Sequence, residues 1–229
     1  MDFACKDVVI AAGCLSPRVF ETLVGTSMNP SIRPLAGYSI VVRSPRYARS
    51  IRERSQRGEG VEMSHAILYP PGPNWTYSPE AMARMTREGK LETYVAGLNH
   101  ESLALPTLAG ETKNLIDRSQ LEDLRRTAIT LAGKSSGDSR PEDDLHLVRE
   151  GHCLRPVSES GMPIISQVKD IRTNSGGGLY VASGHGPWGI TLSLGTGFVV
   201  SEMLQGNKSH ILGHNIALKQ GTSLLPSRL

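Results

Sequence analysis

Residues 179–204, "LYVASGHGPWGITLSLGTGFVVSEML", run from a β-branched apolar segment through a glycine-rich loop into a stretch with helix-like spacing. The segment "LYVAS" (179–183) has the composition of a buried strand. Leu194, Phe198 and Met203 recur at helical intervals, so the spacing predicts a helix over 194–204. The loop 184–189 therefore delivers the chain to a helix N-terminus, where backbone N–H groups have no intrahelical partner. Such an end attracts an anion or an electron-rich oxygen, and glycines let a flat ligand approach the backbone closely.

Working outward, "DVVIAAG" (7–13) reads as a second buried strand closed by a glycine turn. Shorter strands are expected at 38–43, 65–69, 91–98, 145–151 and 163–168. The clearest helix is "SQLEDLRRTAITLAG". Ser119 is expected as its cap, with Glu122 three residues on, Leu121, Leu124, Ala128 and Leu131 on one face, and Gly133 as its stop. Residues 134–144 carry no apolar side chain and read as a surface loop, and 45–62 reads as a polar insertion.

At 229 residues the chain can bury a sizeable core. Its net charge of +3 is too small to argue for a nucleic-acid partner. The run Arg43, Arg46, Arg49, Arg52, Arg54 and Arg57 is locally basic but interleaves only Tyr47 as a stacking residue, so it reads as a solvated face rather than a nucleic-acid site. No window has the length of a membrane span, and no membrane partner is expected. Cys5, Cys14 and Cys153 lack metal-ligand or Cys-x-x-Cys spacing and read as small core residues in a reducing compartment. His65, His100, His146 and His152 lack metal-binding spacing too, so no metal is expected. The final "SRL" (227–229) differs from the peroxisomal tripeptide SKL by Arg for Lys, which makes the expected location peroxisomal or cytoplasmic.

One further block completes the pattern. "CLRPVSESGMPIISQV" (153–168) combines a Leu-Arg-Pro triplet, a polar turn at Gly161 and a Pro-led apolar strand. Together with 178–204 it resembles the C-terminal signature of the FAD-dependent D-amino acid oxidase superfamily, which includes glycine oxidase and sarcosine oxidase. "DVVIAAGCLSPRV" (7–19) and "SPEAMARMTREGKLETYVAGL" (78–98) resemble, in the right order, that family's return to its FAD domain and a substrate-domain hairpin. The resemblance implies a mixed α/β (α+β) fold: a substrate-domain antiparallel sheet with covering helices, plus the C-terminal part of an FAD-binding domain. It divides the chain into 1–20 (FAD-domain remnant), 21–160 (substrate domain), 161–206 (return to the FAD domain) and a tail, 207–229. The family's opening βαβ unit with its Gly-x-Gly-x-x-Gly turn is missing: Gly-x-Gly occurs at 58–60, 176–178, 184–186 and 195–197, and none of these follows an N-terminal strand with the fingerprint. The chain thus reads as the C-terminal part of such an enzyme, truncated in its FAD domain.

What the resemblance implies for function is oxidation of an amine or amino-acid substrate, with FAD as cofactor and peroxide as product. The loop Gly184, His185, Gly186, Pro187, Trp188, Gly189 and Ile190 would lie beside the flavin, and Ala12 and Gly13 near its adenosine or pyrophosphate. Arg155 corresponds to an arginine at the substrate carboxylate, with a structural ion pair as the other reading. Tyr38, Tyr69, Tyr77 and Tyr94 read as half-buried sheet residues. A second chain would supply the missing FAD-domain segment. The rival reading is an inactive fragment, or an interaction module that pairs its strand edge with another chain.

Overall fold

The structure, a computed structural model, describes residues 5–46, 53–54, 56–58, 64–72, 75–88, 90–101, 103–134 and 141–206. The chain divides into two compact units: Met1–Leu35, Glu101–Ala109 and Leu154–Leu229 form the first, and Ala36–His100 with Gly110–Cys153 form the second.

The first unit is built on a three-stranded sheet in the order β1 (Val8–Ile10), β9 (Gly178–Ser183), β8 (Ile164–Arg172). β1 runs parallel to β9, with Val8 opposite Leu179 and Ile10 opposite Val181. β8 runs antiparallel, with Ile164 opposite Ser183. Because side chains alternate across a strand, Val8, Ile10, Leu179 and Val181 share one face. Helix α1 (Ser16–Val24) covers that face with Phe20 and Val24. Pro17 in its first turn and Gly25 at φ 78 after its last residue place both ends where backbone chemistry favours them. Among the described residues β1 pairs with β9 alone in this sheet.

The second unit is a six-stranded sheet. Its main path is β3 (Ser64–Leu68), β4 (Glu80–Met85), β5 (Leu91–Ala96), β2 (Ile32–Arg43) and β6 (Asn99–His100), and β7 (His146–Ser158) also pairs β2. The pairs β3–β4, β4–β5 and β5–β2 are antiparallel; hairpins join β3 to β4 and β4 to β5, and the chain then returns beside β2. Helix α2 (Arg118–Ala132) lays Leu121, Leu124 and Ala128 against Tyr38, Ile40, Val42, Val95 and Leu98. Its cap is Asp117 and not the expected Ser119: the Asp117 carboxylate accepts from the Ser119 backbone N–H at 2.9 Å and from the Ser119 hydroxyl at 2.8 Å. A hydroxyl already donating to Asp117 is a poor competitor for the cap. These bonds hold the Asp117 carboxyl below the ordinary carboxylate range.

The hairpin end at Gly97 admits no other residue. Its φ is 104, and a Cβ there would lie 2.0 Å from the Ser78 carbonyl oxygen. Gly97→Ala is expected to destabilise the second unit by roughly 2–3 kcal/mol, from overpacking against backbone plus left-handed strain. Urea unfolding of the variant checks this, and an unchanged midpoint would refute it.

Two expectations need correction. Of the cysteines only Cys14 is buried; Cys5 and Cys153 are exposed, so a core role holds for one of three. In the arginine run, Arg43 pairs with Glu92 at 2.6 Å and Arg46 with Asp144, while Arg49 and Arg52 lie outside the described residues, as do most of 45–62 and residues 135–140 of the expected loop.

Candidate functional site

All ten candidate site residues fall in the first unit. β9 ends at Ser183, and its hydroxyl donates to the Gly13 carbonyl at 3.0 Å, which joins the end of β9 to the turn after β1. That turn is short: the Leu15 N–H closes on the Ala12 carbonyl at 3.0 Å, and Gly13 takes φ 56. A Cβ on Gly13 would meet nothing within 4 Å, so the backbone face there is open.

The glycine loop itself turns twice through the left-handed region, at Gly184 (φ 82) and Gly186 (φ 55). At Gly184 a Cβ would stand 3.2 Å from Ser158 Cβ, so glycine is needed for space as well as for φ. An isolated bridge pairs His185 with Val157 of β7, and Arg155 lies two residues before Val157, on the same face of that strand. Arg155 is half-buried and has an interaction within the fold.

Gly186–Trp188 form a short 3-10 turn that runs directly into helix α3, Gly189–Leu204. This helix begins five residues before the expected Leu194, so Gly189 and Ile190 belong to its first turn and not to a free loop. Its N-terminus has no side-chain cap and no acidic residue in its first turn, so neither answers the positive potential of its leading N–H groups. His185 carries Nε2 to Thr196 Oγ1 at 2.9 Å, and burial pushes its pKa below the ordinary histidine value, favouring the neutral ring. Trp188 is 62% exposed beside this helix end.

The helix has another property that the sequence alone did not reveal. Ile190, Leu194 and Phe198, spaced by four, are 93%, 88% and 59% exposed, and of its sixteen residues only Val199 is buried. No charged residue occurs in it before Glu202. No described helix is long and apolar enough to cross a membrane.

A family model described as FAD dependent oxidoreductase matches residues 2–203. The chain belongs to this family. Over 67 residues it is 33% identical to D-amino acid dehydrogenase of Agrobacterium fabrum, a match covering 29% of this chain and 15% of that protein. Among solved structures, it is similar to an iminodiacetate oxidase from a Chelativorans species at 15% identity and a TM-score of 0.59, over 93% of this chain and 47% of that one. Glycine oxidase from Geobacillus kaustophilus gives 20% identity and a TM-score of 0.52, over 91% of this chain and 44% of that one. At these identities the likeness is one of fold, and it agrees with the mixed α/β architecture with antiparallel sheets. The chain spans a quarter or less of the curated relatives that it matches, and under half of either solved oxidase.

This FAD-dependent family gives the site its test. The start of α3, which has no side-chain cap and is reached through Gly184 and Gly186, fits the electron-rich edge of a flavin ring. Of the Gly-x-Gly strings, 176–178 leads into β9, 195–197 lies inside α3, and 184–186, continued by Gly189, is the loop that opens α3 at the flavin end; among the described residues none stands between an N-terminal strand and the helix after it, where the family holds the pyrophosphate.

Proposed function

We propose that this chain forms the flavin-ring end of an amine or amino-acid oxidase site, with the pyrophosphate end supplied by a polypeptide segment outside these 229 residues. The observation that carries the reading is the uncapped N-terminus of α3, reached through Gly184 and Gly186, in a chain of the FAD-dependent family. The substrate class is supported by the name of the dehydrogenase relative, which acts on D-amino acids.

Bound FAD would supply the redox chemistry, accepting a hydride from the carbon of the substrate C–N bond and passing electrons on to oxygen to give peroxide. The chain's own residues would do the rest. Gly184, Gly186 and Gly189 bring backbone close to the ring, and the N–H groups at the start of α3 stabilise negative charge developing on it. Trp188 and Ile190 supply apolar surface beside that edge, and His185 holds the loop that presents it. Ala12 and Gly13 would face the adenosine or pyrophosphate portion. Arg155 would hold a substrate carboxylate through its planar fork.

The test is a titration with FAD, followed by quenching of flavin fluorescence. The chain alone is expected to bind saturably but weakly, with a Kd toward about 1 mM, equivalent to about 4 kcal/mol. Gly184→Val, which violates both φ and space at the loop, is expected to abolish the saturable phase. Wild-type protein without saturable quenching would favour the inactive-fragment reading and refute this one.

A further inference from the structure

Three glycines in the six residues Gly184–Gly189 leave this loop many backbone states, so its single conformation must come from contacts. Two of those contacts are backbone: the bridge between His185 and Val157, and the bond from Trp188 N–H to the His185 carbonyl at 3.1 Å. The third joins two particular side chains, His185 Nε2 and Thr196 Oγ1, 2.9 Å apart and eleven positions apart in sequence. Thr196 follows Gly189 by seven residues, two helical turns, so its hydroxyl lies on the flank of α3 below the N-terminus that the loop feeds. Its neighbours Gly195 and Gly197 have nothing within 4 Å of where a Cβ would be.

We infer that Thr196 is a positioning residue for the flavin end of the site, acting through His185 to fix the loop Gly184–Ile190 against α3 as one rigid piece. The consequence for flavin rests on the function proposed above; the clamp between the two side chains does not. A neutral imidazole suits the role, because Nε2 can donate to or accept from a hydroxyl, and the elements around the ring bring the Val157 backbone, Gly189 and Thr196, none of them charged.

Thr196→Val keeps the shape of the side chain and removes its hydroxyl, while Thr196→Ser keeps the hydroxyl. Amide hydrogen exchange at Gly186, Trp188, Gly189 and Ile190 is expected to accelerate about tenfold in Thr196→Val, the size set by loss of one hydrogen bond, and to return near the wild-type rate in Thr196→Ser. Exchange at Leu179–Val181 in β9 is expected to stay unchanged, which separates a local clamp from general loosening. FAD affinity, read by fluorescence titration, is expected to fall about tenfold in Thr196→Val and to recover in Thr196→Ser. Unchanged loop exchange in Thr196→Val would overturn the clamp whatever the flavin does. Faster exchange with unchanged FAD affinity would overturn its role at the flavin. Wild-type protein that binds no FAD would remove the proposed function and the flavin role with it, and the exchange rates would still decide the clamp.

Discussion

Phe20→Ala is expected to destabilise the first unit by about 3–5 kcal/mol, the range for removing a large aromatic from a closed core. Phe20 is fully buried among Ile10, Val24, Met28, Ile32, Ile164, Val168, Leu179 and Val181. The sheet beneath it has three strands among the described residues, one of them three residues long. A core so small has few neighbours able to close over the space a phenyl ring leaves, so the variant loses its buried area and keeps a cavity. Against an ordinary domain stability of about 5–15 kcal/mol, this is about a fifth or more of the total. Urea unfolding followed by circular dichroism should show a lower midpoint with an unchanged slope; a shift worth under about 1 kcal/mol would mean that Phe20 is not the keystone of this core.

How much of this was legible in the sequence differs from element to element, for physical reasons. β1 and β9 are short runs of β-branched and apolar residues closed by glycine, and both were readable because buried strands concentrate those residues. β7 was expected over 145–151 and extends to Ser158. In its second half His152, Arg155 and Ser158 recur every third residue among apolar neighbours that are exposed or half-buried, so no strand period marked it. The start of α3 was read five residues late because Gly189, Ile190, Thr191 and Gly195 are poor helix formers, and the fold overrides their propensity. That error hid the site's main tie: only with the helix starting at Gly189 does Thr196 fall on the flank that His185 reaches. The cap of α2 went to Asp117 because two good capping residues stood two positions apart, and spacing alone could not rank them. The family, by contrast, was legible from ordered blocks, and the match over residues 2–203 takes in all of them.

Replacing Ile190, Leu194 and Phe198 together by serine should weaken self-association of the isolated chain about a hundredfold or more while leaving its unfolding midpoint nearly unchanged. The two halves of this prediction come from one fact: these side chains are 93%, 88% and 59% exposed. Exposed side chains contribute little to the stability of the fold, and such surface substitutions stay within about 0.5 kcal/mol each. Yet an apolar stripe four residues apart on a helix with no charge before Glu202 is a surface that water disfavours and any second apolar surface relieves. Fully burying one such side chain is worth about 1.5–3 kcal/mol, so losing three exceeds the roughly 2.7 kcal/mol that a hundredfold represents, while the fixed cost of association is common to both proteins and cancels. Sedimentation velocity over a concentration series reads the effect: wild-type chain should associate with rising concentration and the triple variant should stay monomeric. Equal behaviour of the two would mean that the stripe does not drive association. A triple variant that also unfolds early would mean that α3 is held by those side chains after all, contrary to their exposure.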